Sequence, residues 1–108
     1  MIWITGNSGA GKSTLAFRLK KDNSVILDGD ELRRAWPELG FSEKDRWIQN
    51  FRAAKLGSML ERQGFNVIVA TICPYKKLRE ELERDHSITW IKLRGGKEPS
   101  EEYPYESD

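Results

Sequence analysis

The chain has 108 residues, 38% hydrophobic and 32% charged, with 18 Lys and Arg against 17 Asp and Glu and a formal net charge of +1. That length supports one domain with a thin core, burying about two thirds of the surface its unfolded chain exposes. The near-neutral balance gives no bulk electrostatic basis for holding nucleic acid or a membrane surface. A single cysteine, Cys73, excludes an internal disulfide and a cysteine-based zinc site, and no apolar run approaches the ~18 residues of a membrane span.

Met1–Thr5 is apolar and β-prone, which predicts a first strand. A strand beginning at Met1 leaves no room for a signal peptide, so a cytoplasmic location is expected. Residues 6–13 read Gly-Asn-Ser-Gly-Ala-Gly-Lys-Ser, the phosphate-loop pattern G-x-x-x-x-G-K-[ST]. The following run, from Lys12 to about Lys21, reads as a helix. The strand–loop–helix setting is what separates this pattern from a glycine-rich turn with an exposed lysine. Such a loop turns successive N–H groups toward phosphate oxygens, and the helix start adds a partial positive charge. Gly6, Asn7, Ser8, Gly9, Ala10, Gly11, Lys12, Ser13 and Thr14 are therefore the expected nucleotide-binding residues. ATP is the expected donor, with Lys12 on its terminal phosphates and the Ser13 hydroxyl on Mg²⁺.

Ser24–Leu27 predicts a second strand, followed by Asp28-Gly29-Asp30 and a helical turn over Glu31–Trp36 that Pro37 closes. Ser42 reads as an N-cap, with Asp45 at the capping-box distance, of a helix running to Gln63 and stopped by Gly64. Phe51, Ala54, Leu56, Met59 and Leu60 supply its expected apolar face. Asn66–Thr71 predicts a strand buried on both faces, Pro74 opens a helix ending near Asp85, and Ile88–Leu93 predicts the fourth strand. Residues 95–108 are polar, acidic and proline-containing, with no regular element expected. Strands alternating with helices give an α/β three-layer sandwich on a four-stranded parallel sheet. For a phosphate-loop kinase the order is 2-3-1-4, with ligands at the C-terminal strand ends. The expected division is a kinase core over 1–94 and a polar tail or lid remnant over 95–108.

Asp28 lies just past the second strand, where a carboxylate can hold a metal's water shell or accept the proton of an attacking hydroxyl. Asp30 reads equally well as part of that site or as a helix N-cap. Arg33, Arg34, Arg46 and Arg52 suit planar anion recognition, although any one of them taken alone reads more readily as a solvated surface charge. Trp3 and Trp90 fall in strands and are expected in the core. Trp36 and Trp47 flank the acceptor side, and His86 has no partner visible in the sequence.

Several segments in order resemble the adenylylsulfate (APS) kinase family: the loop Gly6–Ser13, Leu27-Asp28-Gly29-Asp30-Glu31-Leu32-Arg33, Leu39-Gly40-Phe41-Ser42-Glu43-Lys44-Asp45-Arg46, and Gly64–Tyr75 ending Ile72-Cys73-Pro74-Tyr75. The resemblance covers about residues 1–80. It implies ATP- and Mg²⁺-dependent phosphorylation of the 3′-hydroxyl of a sulfated adenylate, a step of sulfate assimilation. It implies Lys12 and Asp28 as catalytic residues, and Ser13 and Asp28 at the metal. Asp30, Arg33, Phe41, Arg46, Gln49, Arg52, Ile72 and Cys73 would then contact the acceptor, with Phe41 stacking on its adenine and Arg46 on its phosphosulfate. The chain departs from the family at Gln49, where an asparagine is usual, at Phe51, where an arginine is usual, and at Cys73, where a serine is usual. Beyond the fourth strand only Arg94-Gly95-Gly96-Lys97 stands where the family carries a lid, and Glu102-Tyr103-Pro104-Tyr105-Glu106 resembles the segment closing it. The alternatives are a kinase of the same fold acting on a nucleoside, modified base or polynucleotide end, and a nucleotide-binding protein without turnover. An unpaired outer edge on the fourth strand points to a homodimer.

Overall fold

A computed structural model describes residues 1–108. The elements are β1 (Ile2–Thr5), α1 (Lys12–Leu19), β2 (Ser24–Asp28), α2 (Gly29–Ala35), α3 (Glu43–Arg62), β3 (Asn66–Ala70), α4 (Lys76–Asp85) and β4 (Thr89–Lys92). All strand pairs are parallel and the order is β2-β3-β1-β4. The register sets Asp28 of β2 beside Ala70 of β3, and Ala70 beside Ile4 of β1. The loops that follow these three strands therefore leave the sheet at one level.

Strand alternation sorts the core into two layers. Trp3, Val67 and Val69 face Ala53, Ala54, Leu78 and Leu82 of α3 and α4. Ile4, Ile68 and Ala70 face the other way and pack with Ala16 of α1. The result is the three-layer α/β sandwich of the phosphate-loop kinases. Trp3 is fully buried, with Trp90 partly buried beside it at a ring-centroid separation of 5.3 Å. No helix is long and apolar enough to cross a membrane.

Where the elements differ from expectation, hydrogen bonds account for it. Helix α1 stops at Leu19 rather than near Lys21, because Lys20 turns extended and the chain folds into a turn at Asn23 (φ 69°). Asn23 then donates its amide to the Gly64 carbonyl. Helix α2 begins at Gly29 rather than Glu31, because the Asp28 carboxylate accepts from Asp30 N–H at 3.0 Å. The N-cap is thus Asp28 and not Asp30. Pro74 does not open α4; that helix starts at Lys76, whose N–H donates to the Glu106 carboxylate at 2.9 Å. A remote acidic residue takes the place of a local cap.

The largest difference lies in α3. Its buried residues are Arg46, Gln49, Asn50, Ala53, Ala54 and Gly57, a stripe at helical spacing that is small or polar rather than apolar. Of the expected apolar face, Ala54 is buried, Phe51, Leu56 and Leu60 are only partly covered, and Met59 is 43% exposed. Small residues let α3 lie close against β3, and the polar ones carry its N-terminal half to the cleft. Ser42 caps the helix by accepting from Asp45 N–H at 3.1 Å, while the Asp45 carboxylate turns to Gly40 N–H at 2.8 Å. Its C-terminus closes with bonds from Gly64 N–H to Glu61 and from Phe65 N–H to Leu60, the paired pattern of a Schellman stop.

Candidate active site

Gly9 and Gly11 adopt φ of 83° and 95°, a left-handed backbone that is open to glycine and costly for most residues. These turns curl residues 6–13 around the start of α1. Lys12 reaches back to donate to the Asn7 carbonyl at 3.1 Å. Burial lowers its pKa, and the nearby charges of Asp28 and Asp30 oppose that shift. A lysine drawn out of water and facing two acids is placed to receive a polyanion. The Ser13 hydroxyl donates to Asp28 at 2.5 Å, so the loop and the β2 terminus meet at one point.

No group of three or more His, Cys, Asp or Glu is gathered anywhere. One hydroxyl and one carboxylate beside a phosphate loop do fit Mg²⁺, which keeps several waters and takes its remaining ligands from phosphate oxygens.

A cleft of about 260 Å³ opens in front of these groups. One wall is Ser8, Gly9, Gly11, Lys12, Ser13 and Thr14; the others are Asp28, Gly29, Asp30 and Arg33, then Arg46, Gln49 and Asn50, with Ala70–Pro74 as floor. The structure thus gathers Lys12, Ser13, Thr14, Asp28, Asp30, Arg33, Arg46, Gln49, Ile72 and Cys73. Gly6, Asn7 and Ala10 belong to the loop without lining the cleft. The Asn7 side chain points the other way, toward residues 97 and 103.

Two expected acceptor residues also lie outside the cleft. Phe41 is 67% exposed at its rim, with the Arg33 guanidinium 3.9 Å from its ring centroid. Arg52 points away from it, pairing with Glu38 at 2.8 Å and covering the Trp36 ring at 5.4 Å. Trp36 is held there, and Trp47 packs on Phe51 one turn along α3 at 5.8 Å; both tryptophans pack against the larger core cluster.

Arg33 donates to the Gly40 carbonyl at 2.9 Å and Arg46 to the Phe41 carbonyl at 2.8 Å. Burial lowers the Arg33 pKa, and the positive charge of Arg46 lowers it further. Two cations held against each other by backbone carbonyls favour an anion between them. Gln49 is 4% exposed, and its Nε2 donates to the Gly29 carbonyl at 3.4 Å while its Oε1 is buried without a partner. That oxygen is a buried, unpaired acceptor on a residue that lines the cleft.

Cys73 has φ 39° and is buried. Burial pushes its thiol up to about 12, which removes it as a nucleophile.

Three residues essential to this geometry are not apparent in the sequence. Thr71 accepts from Trp3 Nε1 at 2.9 Å and donates to Asn50 Oδ1 at 2.7 Å. Asn50 then donates to the Arg46 carbonyl at 2.8 Å. The chain ties α3, and with it Arg46, to the sheet. Arg79, nearly fully buried, donates to the Cys73 carbonyl at 2.8 Å and supports the floor. The available signal was one of type: a polar pair, Gln49-Asn50, on the inner side of a long helix. His86 is bonded to Ser58 at 2.7 Å and is structural.

A family model described as adenylylsulphate kinase matches residues 1–93. A probable adenylyl-sulfate kinase of Archaeoglobus fulgidus is 45% identical over 92 residues, covering 79% of this chain and 59% of that protein. An adenylyl-sulfate kinase of Paraburkholderia xenovorans is 45% identical over 86 residues, covering 73% and 48%. The APS kinase CysC of Mycobacterium tuberculosis, solved in complex with AMPPNP and APS, superposes with a TM-score of 0.70 at 34% identity, covering 84% of this chain and 58% of that one. A hexameric APS kinase from Thiobacillus denitrificans gives a TM-score of 0.73 at 29% identity, covering 99% of this chain and 23% of that one. The chain spans about half the length of the curated relatives it matches.

Proposed function

Since the chain belongs to the adenylylsulphate kinase family, we propose that it transfers the γ-phosphoryl group of ATP to the 3′-hydroxyl of APS. One observation carries the reading: the phosphate loop with Lys12 and Ser13, the Asp28 carboxylate, and the Arg33–Arg46 pair line a single cleft. The acceptor oxygen attacks the γ-phosphorus, the bond to the β-phosphate oxygen breaks, and ADP leaves. Asp28 orients or receives the hydroxyl proton, and Lys12 neutralises charge on the phosphoryl oxygens. Mg²⁺, held by Ser13 and Asp28, would supply further charge neutralisation. Asp30, Arg33, Arg46 and Gln49 would bind the acceptor over Ile72 and Cys73, with the arginines taking its phosphosulfate.

Coupled ADP release with and without APS is the test. Stimulation by APS that disappears in Lys12→Ala, with the fold retained, is expected; ADP release indifferent to APS refutes the acceptor. One observation favours a second reading, transfer to a nucleoside or a polynucleotide end: Phe41 at the rim is exposed, so the acceptor side is open. Labelled ATP screened against nucleosides, DNA and RNA would reveal such an acceptor. A homodimer and a cytoplasmic setting are further proposals; sedimentation of the purified chain tests the first.

A further inference from the structure

The segment after β4 has no helix or strand, yet it is fastened at both ends. At the near end, Lys97 N–H donates to the Ser8 carbonyl at 2.7 Å. The Asn7 amide donates to the carbonyls of Lys97 at 3.0 Å and Tyr103 at 2.9 Å, while Asn7 Oδ1 accepts from Ser8 N–H at 2.9 Å. Every polar atom of this 7% exposed side chain is used. At the far end, Arg79 donates to the Glu106 carbonyl and pairs with Asp108 at 3.2 Å. Glu106 N–H donates to Pro74 at 2.7 Å, and Tyr105 shares a 3.1 Å bond with Thr5.

We propose that Asn7 and the segment Gly96–Glu106 are a positioning device for the donor: the segment braces the outer side of the phosphate loop, so that nucleotide affinity depends on residues that do not touch the nucleotide. The proposal rests on the reading that the loop receives ATP. A phosphate loop works by holding several N–H groups in one inward-facing arrangement before the ligand arrives. The Ser8 carbonyl, which accepts from Lys97 N–H, belongs to one of those same peptides. Holding Ser8 by its oxygen fixes the peptide whose nitrogen belongs to Gly9. Gly96 lies so close that a β-carbon there would fall 2.6 Å from the Ser8 oxygen and 2.7 Å from the Asn7 oxygen. Contact alone thus forbids a side chain at residue 96, and the segment seats against the loop backbone without a gap.

The test uses Gly96→Ala, which pushes the segment off without altering the loop sequence. A second variant, Asn7→Asp, keeps the acceptor for Ser8 N–H and removes both donations. Three readouts are compared: trypsin cleavage after Lys97, calorimetric titration with Mg²⁺ and AMPPNP, and titration with APS. Both variants are expected to be cut faster at Lys97 and to bind AMPPNP about tenfold more weakly, the scale of one or two hydrogen bonds. APS affinity should stay within about twofold, which a general loss of structure would not allow. Faster cleavage with unchanged AMPPNP affinity overturns the proposal, as does equal weakening of both ligands or unchanged cleavage in both variants. No AMPPNP binding by the unaltered chain overturns the donor reading itself, and the proposal with it.

Discussion

Thr71→Val isolates the hydroxyl that joins Trp3 to Asn50. Valine keeps the shape, so no cavity forms. It strands two groups at once, Trp3 Nε1, bonded at 2.9 Å, and Asn50 Oδ1, bonded at 2.7 Å, on side chains that are at most 4% exposed. Each buried group left unsatisfied costs about 1–3 kcal/mol. The added methyl recovers about 0.8 kcal/mol, so the net expectation is about 1–5 kcal/mol. For a domain of this size that corresponds to a fall in Tm of roughly 5–20 °C. Urea unfolding followed by tryptophan fluorescence measures it, with the m-value unchanged. Thr71→Ser is the control: it keeps the hydroxyl, loses one buried methyl, and should cost about 1 kcal/mol. If the serine variant is the less stable of the two, the methyl matters more than the hydrogen bonds and the reasoning fails. Because Asn50 also holds the Arg46 carbonyl, Thr71→Val should raise the KM for APS more than that for ATP.

Arg52→Ala should leave the APS KM within about twofold and cost less than about 1 kcal/mol, since its partner is an exposed glutamate; a tenfold rise in KM would return Arg52 to the acceptor site. Arg46→Lys, which retains the charge but cannot reproduce a guanidinium's several directed donors, should weaken APS binding roughly tenfold or more, measured by titration. Ser42→Ala removes the α3 cap and should cost about 1 kcal/mol in urea unfolding. With its thiol near 12 against an ordinary value of 9.0, Cys73 should react with iodoacetamide at pH 8 about a thousandfold more slowly in the folded than in the unfolded chain. The same shift favours the folded state below pH 9, and that contribution is lost as pH rises toward 12. A rate equal to that of the unfolded chain would show that Cys73 is not enclosed. Chelation of divalent ions should stop APS-dependent ADP release, read in the same coupled assay.

The strands and the phosphate loop were legible because their signals are local: a five-residue apolar run, a glycine at each required turn, a helix former after it. So was the Ser42 cap, which acts over three residues. What escaped the sequence is what depends on distance along the chain. The inner face of α3 was misread because Phe51, Leu56 and Met59 are apolar, whereas the inward positions hold Gln49, Asn50 and Gly57. Nearness to β3 and the bonds to Thr71 and Gly29 outweigh hydrophobicity there. Arg52 and Arg46 look alike in sequence, yet they leave α3 in different directions, six residues or about 600° of helical rotation apart. The cap of α4 escaped for the same reason, since Glu106 lies thirty residues beyond Lys76.

The parallel register described for β2, β3 and β1 has a consequence for how this site could fail. Asp28, Ala70 and Ile4 are level, and that level is what brings the carboxylate within 2.5 Å of the Ser13 hydroxyl. Side chains alternate faces along a strand, and each residue advances about 3.3 Å. Deleting one residue from the turn before β2 would therefore move Asp28 by more than the length of that bond, or turn it to the opposite face. Such a chain could keep four strands and its phosphate loop, and still retain nucleotide. It would have lost the alignment between nucleotide and acceptor, becoming a phosphate holder with nowhere to send the phosphate.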